Sequence, residues 1–334
     1  MRIRRRRFGQ IAIVSAATVA LSNFATKTAA QQQSAIYGVS LSTGNDIDAA
    51  AANNINAAAA NVADTDAVNT SPGLSLTTLD LSTGQELSTA EVPSATVENL
   101  QRATSSQNQA VFIQEPQVDR ITGFTSLTDG TFMTATVANT RQGKVSRLVF
   151  TNPNSPQSRR SLSVTNLPRN STVESLLATT ENNLFSVLSL NQGVLPFSLA
   201  TIDSKSGRVG SRDDFPDLVP IRRFSNLAQS PTNGTIYLTT LGSEGSTTLV
   251  QLDLQQRSLI TGKGRIIRVA ALRYNNEFLE NDLLSLTVSP SGQLFALANP
   301  NYEGTNSLFT IDVATGNMTL VRSFAVDKIA FRRG

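Results

Sequence analysis

Apolar and polar side chains alternate in short runs along most of this chain, and many runs end on Asp, Asn or Gly. The phrase LTTLDLSTGQEL covers 76–87, LATIDSKSGRVG covers 199–210 and LFTIDVATGNMTL covers 308–320. A period of two predicts strands with one buried face. The Asp can bond amides ahead of it and the Gly can take a positive φ, so each phrase predicts a β-hairpin. LVQLDLQQRSLI at 249–260 keeps the strand pattern and loses the glycine.

A second kind of phrase alternates with the first. It starts at Phe124, Leu176, Leu227 and Leu286, and its turns fall at Asp129-Gly130, Asn182-Asn183, Asn233-Gly234 and Ser291-Gly292. These are also hairpins. Two hairpins in series make four antiparallel strands. The anchors Asp203, Asp253 and Asp312 lie 50 and 59 residues apart, and Asn152 takes the same place 51 residues before Asp203. Four strands per unit at a period near fifty predicts an all-β fold of the β-propeller type.

The two ends of the chain carry half-units. VDKIAFRRG at 326–334 matches the first half of the second phrase, and SAIYGVSLSTGND at 34–46 continues from its second half. Ile36-Tyr37-Gly38 aligns with Leu294-Phe295-Ala296, and Ser40 takes the place of Asp80. Together they predict one shared blade, with the inner strand from the C-terminus and the remaining strands from the N-terminus. Such a blade closes the ring and removes two open sheet edges. Ile329-Ala330-Phe331 should then pair with Ile36-Tyr37-Gly38, with Ile329 and Phe331 buried and Tyr37 packed near them. Counting the shared blade and then 50–117, 118–168, 173–217, 222–272 and 281–324 gives six blades of four antiparallel strands. A hairpin hidden in Val97 to Ile113 would make seven. The Ala/Asn-rich stretch 49–72 has no strand period and reads as a degenerate hairpin, a loop or a short helix.

The hydrophobic-x-Ile-Asp-x-x-Thr-Gly phrase resembles the repeats of exported bacterial β-propellers, the broad group that includes NHL-like and YVTN-like proteins. The resemblance covers most of residues 34–334. It implies a scaffold and not an activity, because this fold carries many functions.

Residues 1–30 read as an export signal. Arg2, Arg4, Arg5, Arg6 and Arg7 form a basic start, Ile11 to Leu21 is an apolar run of 11 residues, and Thr28-Ala29-Ala30 suits a signal peptidase. The run is too short to span a bilayer. Arg5-Arg6-Arg7-Phe8 resembles a twin-arginine signal, and a Sec signal is the other reading. Residues 31–334 would form a single propeller domain in the periplasm or outside the cell, with no membrane span. The signal also carries the charge. Of 28 basic and 25 acidic residues it holds six basic and no acidic ones, so the remainder is net −3 where the whole chain is +3. No basic excess is left for nucleic acid.

The composition restricts the chemistry. The chain has no His, no Cys and no Trp. That removes Ser-His-Asp catalysis, thiolate catalysis, histidine-held zinc and iron–sulfur clusters. The charges that precede the expected inner strands are the candidate ligand site: Asp119, Arg120, Glu174, Arg222, Arg223, Glu280, Asp282, Asp327 and Lys328. In a propeller these positions gather around the axis on one face. No catalytic residues and no resident metal are assigned, although a calcium or magnesium ion on the axis stays open, as in six-bladed lactonases. The function expected from all this is a non-catalytic binding module, monomeric, with a protein or small-molecule ligand. The alternative is a metal-dependent hydrolase.

Overall fold

The computed structural model describes residues 35–41, 73–92, 118–140, 143–179, 183–214, 221–257, 264–302 and 304–333. The expected signal 1–30, the stretch 49–72, the segment from Val97 to Ile113 and the turn residue Asn182 lie outside the described residues.

The described residues form strands and no helix. In chain order these are β1 (Ala35–Leu41), β2 (Leu74–Asp80), β3 (Glu86–Val92), β4 (Val118–Ser126), β5 (Phe132–Thr140), β6 (Gly143–Asn152) and β7 (Ser155–Ser163). Then come β8 (Thr172–Ala178), β9 (Leu184–Asn191), β10 (Val194–Ile202), β11 (Val209–Asp214), β12 (Ile221–Gln229), β13 (Ile236–Gly242), β14 (Thr247–Arg257) and β15 (Gly264–Ala271). The last are β16 (Arg273–Tyr274), β17 (Glu277–Phe278), β18 (Ser285–Val288), β19 (Leu294–Ala298), β20 (Ser307–Ile311), β21 (Met318–Ser323) and β22 (Lys328–Phe331).

They assemble into five four-stranded antiparallel sheets and one two-stranded ribbon, β16–β17. Four of the sheets are consecutive meanders: β4–β7, β8–β11, β12–β15 and β18–β21. The remaining sheet has the order β22-β1-β2-β3. Its register pairs Ile36 with Phe331, Tyr37 with Ala330 and Gly38 with Ile329. The arrangement is propeller-like.

Among the described residues the blade count is five, not six. β1 pairs directly with β2, Leu41 opposite Leu74 and Ile36 opposite Leu79. Residues 34–46 and 76–87 therefore belong to one sheet rather than two, and the stretch 49–72 connects two neighbouring strands of it. Ser40 pairs with Ser75 inside this ladder, so it is not a turn cap. Asp80 has that role, accepting from the amides of Ser82 (2.7 Å) and Thr83 (3.4 Å). Asp203 and Asp312 cap their turns in the same way, and Asn152 accepts from the amide of Asn154 at 2.9 Å. Asp253 departs from the pattern. Without a following glycine the strand continues past it to Arg257.

Tyr37 also departs from expectation. Neighbours along a strand face opposite ways, so Tyr37 cannot share a face with Ile36. Ile36, Ile329 and Phe331 join Phe295, Leu308 and Phe324 in one apolar cluster. Tyr37 and Ala330 face the opposite cluster, where the Tyr37 ring lies 4.7 Å from that of Phe132. Gly38 shows why a side chain is missing there: a Cβ would lie 2.6 Å from Val326.

The core is divided among the seams between sheets. Met133, Leu148, Leu176 and Leu184 fill the seam between β4–β7 and β8–β11. Leu177, Val187, Phe224 and Leu238 fill the next. Leu249, Leu286, Leu294 and Phe309 join β12–β15 to β18–β21. The Ile36 and Tyr37 clusters join the β1-containing sheet to β18–β21 on one side and to β4–β7 on the other. Innermost strands are also stitched across the seams by side chains. Thr125 accepts from the Ala178 amide (3.1 Å), Ser175 from Leu227 (2.7 Å), Ser285 from Ile329 (3.1 Å) and Ser126 from Arg333 (3.0 Å). Asn226 donates to the Leu283 carbonyl at 2.7 Å. These bonds satisfy backbone groups that the antiparallel ladder of each sheet leaves free on its inner edge.

Candidate functional site

The starts of the innermost strands bring five of the nine candidate residues together: Arg120, Glu174, Arg223, Asp282 and Lys328. β8 carries Glu174 at a shift in register between Val173 and Ser175, and the residue is 1% exposed. Arg120 reaches across the seam and binds it through both guanidinium nitrogens, each at 2.7 Å from a carboxylate oxygen. The Thr172 hydroxyl donates to the same carboxylate, and Arg223 stands 3.6 Å from it. Burial alone would raise the pKa of Glu174. The bonds and charge of Arg120, with Thr172 and Arg223, outweigh that and hold the carboxyl below its usual range.

Arg223 connects this pair to Asp282, its Nε lying 3.2 Å from Oδ2. The Ser225 hydroxyl reaches both Asp282 oxygens at 2.9 Å. Burial nevertheless raises the Asp282 pKa against Arg223, Ser225 and Lys328. Lys328 donates to the Leu284 carbonyl. Desolvation first, and then the nearby Arg223, lower its pKa to about 8 in spite of Asp282, Glu174 and Asp327.

The other four candidates do not converge. Asp119 points outward and meets Lys144 at 3.6 Å. Arg222 and Glu280 are exposed. Asp327 secures the β1–β22 pairing: its amide donates to the Val39 carbonyl at 2.8 Å and its carboxylate accepts from the Leu41 amide at 3.0 Å.

This cluster does not fit a divalent cation. Calcium needs six to eight oxygen ligands. Two carboxylates converge, and Arg120 and Arg223 already pair with them. No group of three or more acidic side chains placed to hold a metal occurs among the described residues. The turn acids Asp80, Asp203 and Asp312 each stand alone with bonds to backbone and hydroxyl groups.

The opposite end of the same strands is different. A cavity of about 270 Å³ lies there, lined from all five inner strands and the turns that follow them. Phe124, Leu177, Leu227, Leu286 and Phe331 supply an apolar wall, while Thr125, Ser126 and Thr287 add hydroxyls. Arg332 and Arg333 are the only charged lining residues among the described ones. Sequence reasoning missed these two because RRG reads as a polar tail. The available signal was position: they follow directly on an inner strand. A second concavity, larger at about 500 Å³, lies beside the ribbon, between Phe278 and Tyr302.

Comparison with known proteins identifies no family. No family model matches, and no curated protein matches. Solved structures resemble the chain at low scores. TolB from Acinetobacter baumannii has a TM-score of 0.42 at 12% identity, over 80% of this chain and 53% of that one. A protein from Lactobacillus plantarum has a TM-score of 0.38 at 11% identity, over 87% and 67%. AofleA from Arthrobotrys oligospora has a TM-score of 0.39 at 12% identity, over 78% and 69%. This chain thus spans about half the length of TolB. Likenesses this low say nothing about the site. No helix among the described residues is long and apolar enough to cross a membrane.

Proposed function

We propose that the chain is an exported, non-catalytic binding module, a monomeric β-propeller that receives its ligand in the axial cavity. The cavity is the observation that carries this reading. It is concave and lined by apolar side chains and polar groups in about equal measure, and a hydrocarbon wall with convergent polar groups is what a ligand site uses. The ionic cluster at the other end supports a structural role, since its carboxylates are neutralised by Arg120, Arg223 and Lys328. A general base needs a free carboxylate or amine in reach of substrate. Export rests on the sequence of residues 1–30. Ring closure through the β1–β22 pairing is part of the proposal. It is supported by the five apolar seams and by the side-chain bonds that pass from each inner strand to the next.

The test combines two measurements on the protein lacking residues 1–30. A thermal-shift survey of small metabolites should find stabilising ligands, and a Leu227→Trp variant that fills the cavity should lose them. A survey of ester and lactone hydrolysis with added calcium or magnesium should find no turnover. Turnover abolished by Asp282→Asn would move the site to the ionic end and overturn the reading.

A further inference from the structure

We propose that the axial cavity selects a small organic anion with an apolar body, its charged head held by Arg332 and Arg333. A medium-chain carboxylate is the simplest member of the class. The inference rests on the cavity reading above and adds the chemistry of the ligand.

Arg333 is anchored at two points. Its backbone amide is fixed by Ser126, and its Nη1 donates to the Ala178 carbonyl at 2.7 Å. A guanidinium has five N–H donors. Among the described residues the Arg333 side chain has this one hydrogen bond and no carboxylate within 4 Å. Burial lowers its pKa, and no acid among the described residues offsets that. The contrast with the other end is direct. Arg120 and Arg223, at the other end of the inner strands, both meet carboxylates. An arginine held partly out of water without a counter-ion is costly, and an anionic ligand relieves the cost.

Arg332 adds a second charge. Its guanidinium lies against Gly130, where a Cβ would come within 2.6 Å of Nε. It too has no acid partner among the described residues. No Asp or Glu among the described residues lines the cavity. The wall behind the two arginines is Phe124, Leu177, Leu227, Leu286 and Phe331, which excludes a bare inorganic anion as the best fit. Charge at one side and hydrocarbon behind it select an amphiphilic anion. The volume, about 270 Å³, suits a molecule of that size rather than a protein segment.

The probes are octanoate, octan-1-ol and inorganic phosphate, titrated calorimetrically into the protein lacking residues 1–30. Octanoate should bind one per chain, at least tenfold more tightly than octanol or phosphate, and more weakly as salt rises. Arg333→Gln should weaken octanoate by tenfold or more and leave octanol unchanged. Because Arg333 also bonds Ala178, Arg332→Gln provides a second variant at the cavity mouth; it should weaken octanoate in the same sense. Octanol binding as tightly as octanoate would overturn the anion inference and keep the cavity as a site. Phosphate binding as tightly as octanoate would overturn the apolar half. Failure of all three probes at millimolar concentration would overturn the inference. If the metabolite survey also failed, the cavity reading would go with it.

Discussion

Arg120 and Glu174 lie on the inner strands of two different sheets and meet through two parallel bonds of 2.7 Å. The carboxylate is fully buried and the guanidinium only partly so. The pair is thus a clamp across one seam, with the acid unable to reach water.

Removing half of such a pair costs far more than removing both. Arg120→Ala leaves Glu174 buried without its two short guanidinium bonds, with the Thr172 hydroxyl and Arg223 at 3.6 Å as its remaining partners among the described residues. Loss of about 3–5 kcal/mol is expected, the usual size for an uncompensated buried charge. The double variant Arg120→Met, Glu174→Leu should recover most of it. Urea unfolding at pH 7 with an unchanged slope measures both. A double variant no better than Arg120→Ala would show that the clamp is more than a charge pair.

Two turn glycines should respond very differently to the same change. Gly234 has φ 72 and open space where a Cβ would go. Gly234→Ala should cost about 1–2 kcal/mol from the backbone conformation alone. Gly316 has φ 77, and its Cβ would fall 2.2 Å from the Ala271 carbonyl oxygen. Gly316→Ala should cost clearly more, because the turn must leave the neighbouring strand β15. Thermal melting of the two variants side by side decides it, and equal losses would mean that the β15 contact yields freely.

The hairpins, their turn residues and the joining of the two ends could be read from the sequence because each depends on local pattern. Period-two alternation marks the strands, and Asp-x-x-x-Gly marks the turns at Asp80, Asp203 and Asp312. The number of blades could not be read the same way. Alternation does not say which neighbour a strand takes, so the long connection between Leu41 and Leu74 looked like the start of a new unit. The charged cluster was half legible. Which of two adjacent residues faces the axis depends on the register shifts in β4, β8 and β12, and no sequence signal marks those. That is why Arg120 and Arg223 point inward while Asp119 and Arg222 do not.

Lys328 should leave a mark on the pH dependence of stability. Its pKa falls from 10.5 when unfolded to about 8 in the fold, with desolvation as the first cause. Between those values the unfolded chain binds more protons, so stability attributable to this residue rises with pH from about 8 to about 10.5. The full change is up to about 3 kcal/mol. Lys328→Met removes the titration. Urea unfolding of both proteins across pH 7.5 to 10.5 should give profiles that converge toward high pH relative to neutral. Parallel profiles would mean that the ammonium is hydrated in the folded protein.

The sharpest consequence concerns the strand β22. Ile329 is 0% exposed and Phe331 6%, and the Phe331 ring stacks edge-on against Phe295 at 5.4 Å. On the other face Ala330 packs with Tyr37 and Phe132. This short strand therefore serves two seams at once and supplies the amides of Ile329 and Arg333 to Ser285 and Ser126. Chain ends usually fray at little cost. Here Phe331→Ala should cost about 3–5 kcal/mol, the range for a large buried ring. Removing 326–334 should cost more, because it strips the inner strand from the β1 sheet and uncovers an edge that can pair with another molecule. The shortened protein should melt well below the full chain and associate on gel filtration. If it stayed monomeric with its melting temperature intact, β22 would be an appendage, and the proposal that it closes the ring would fail.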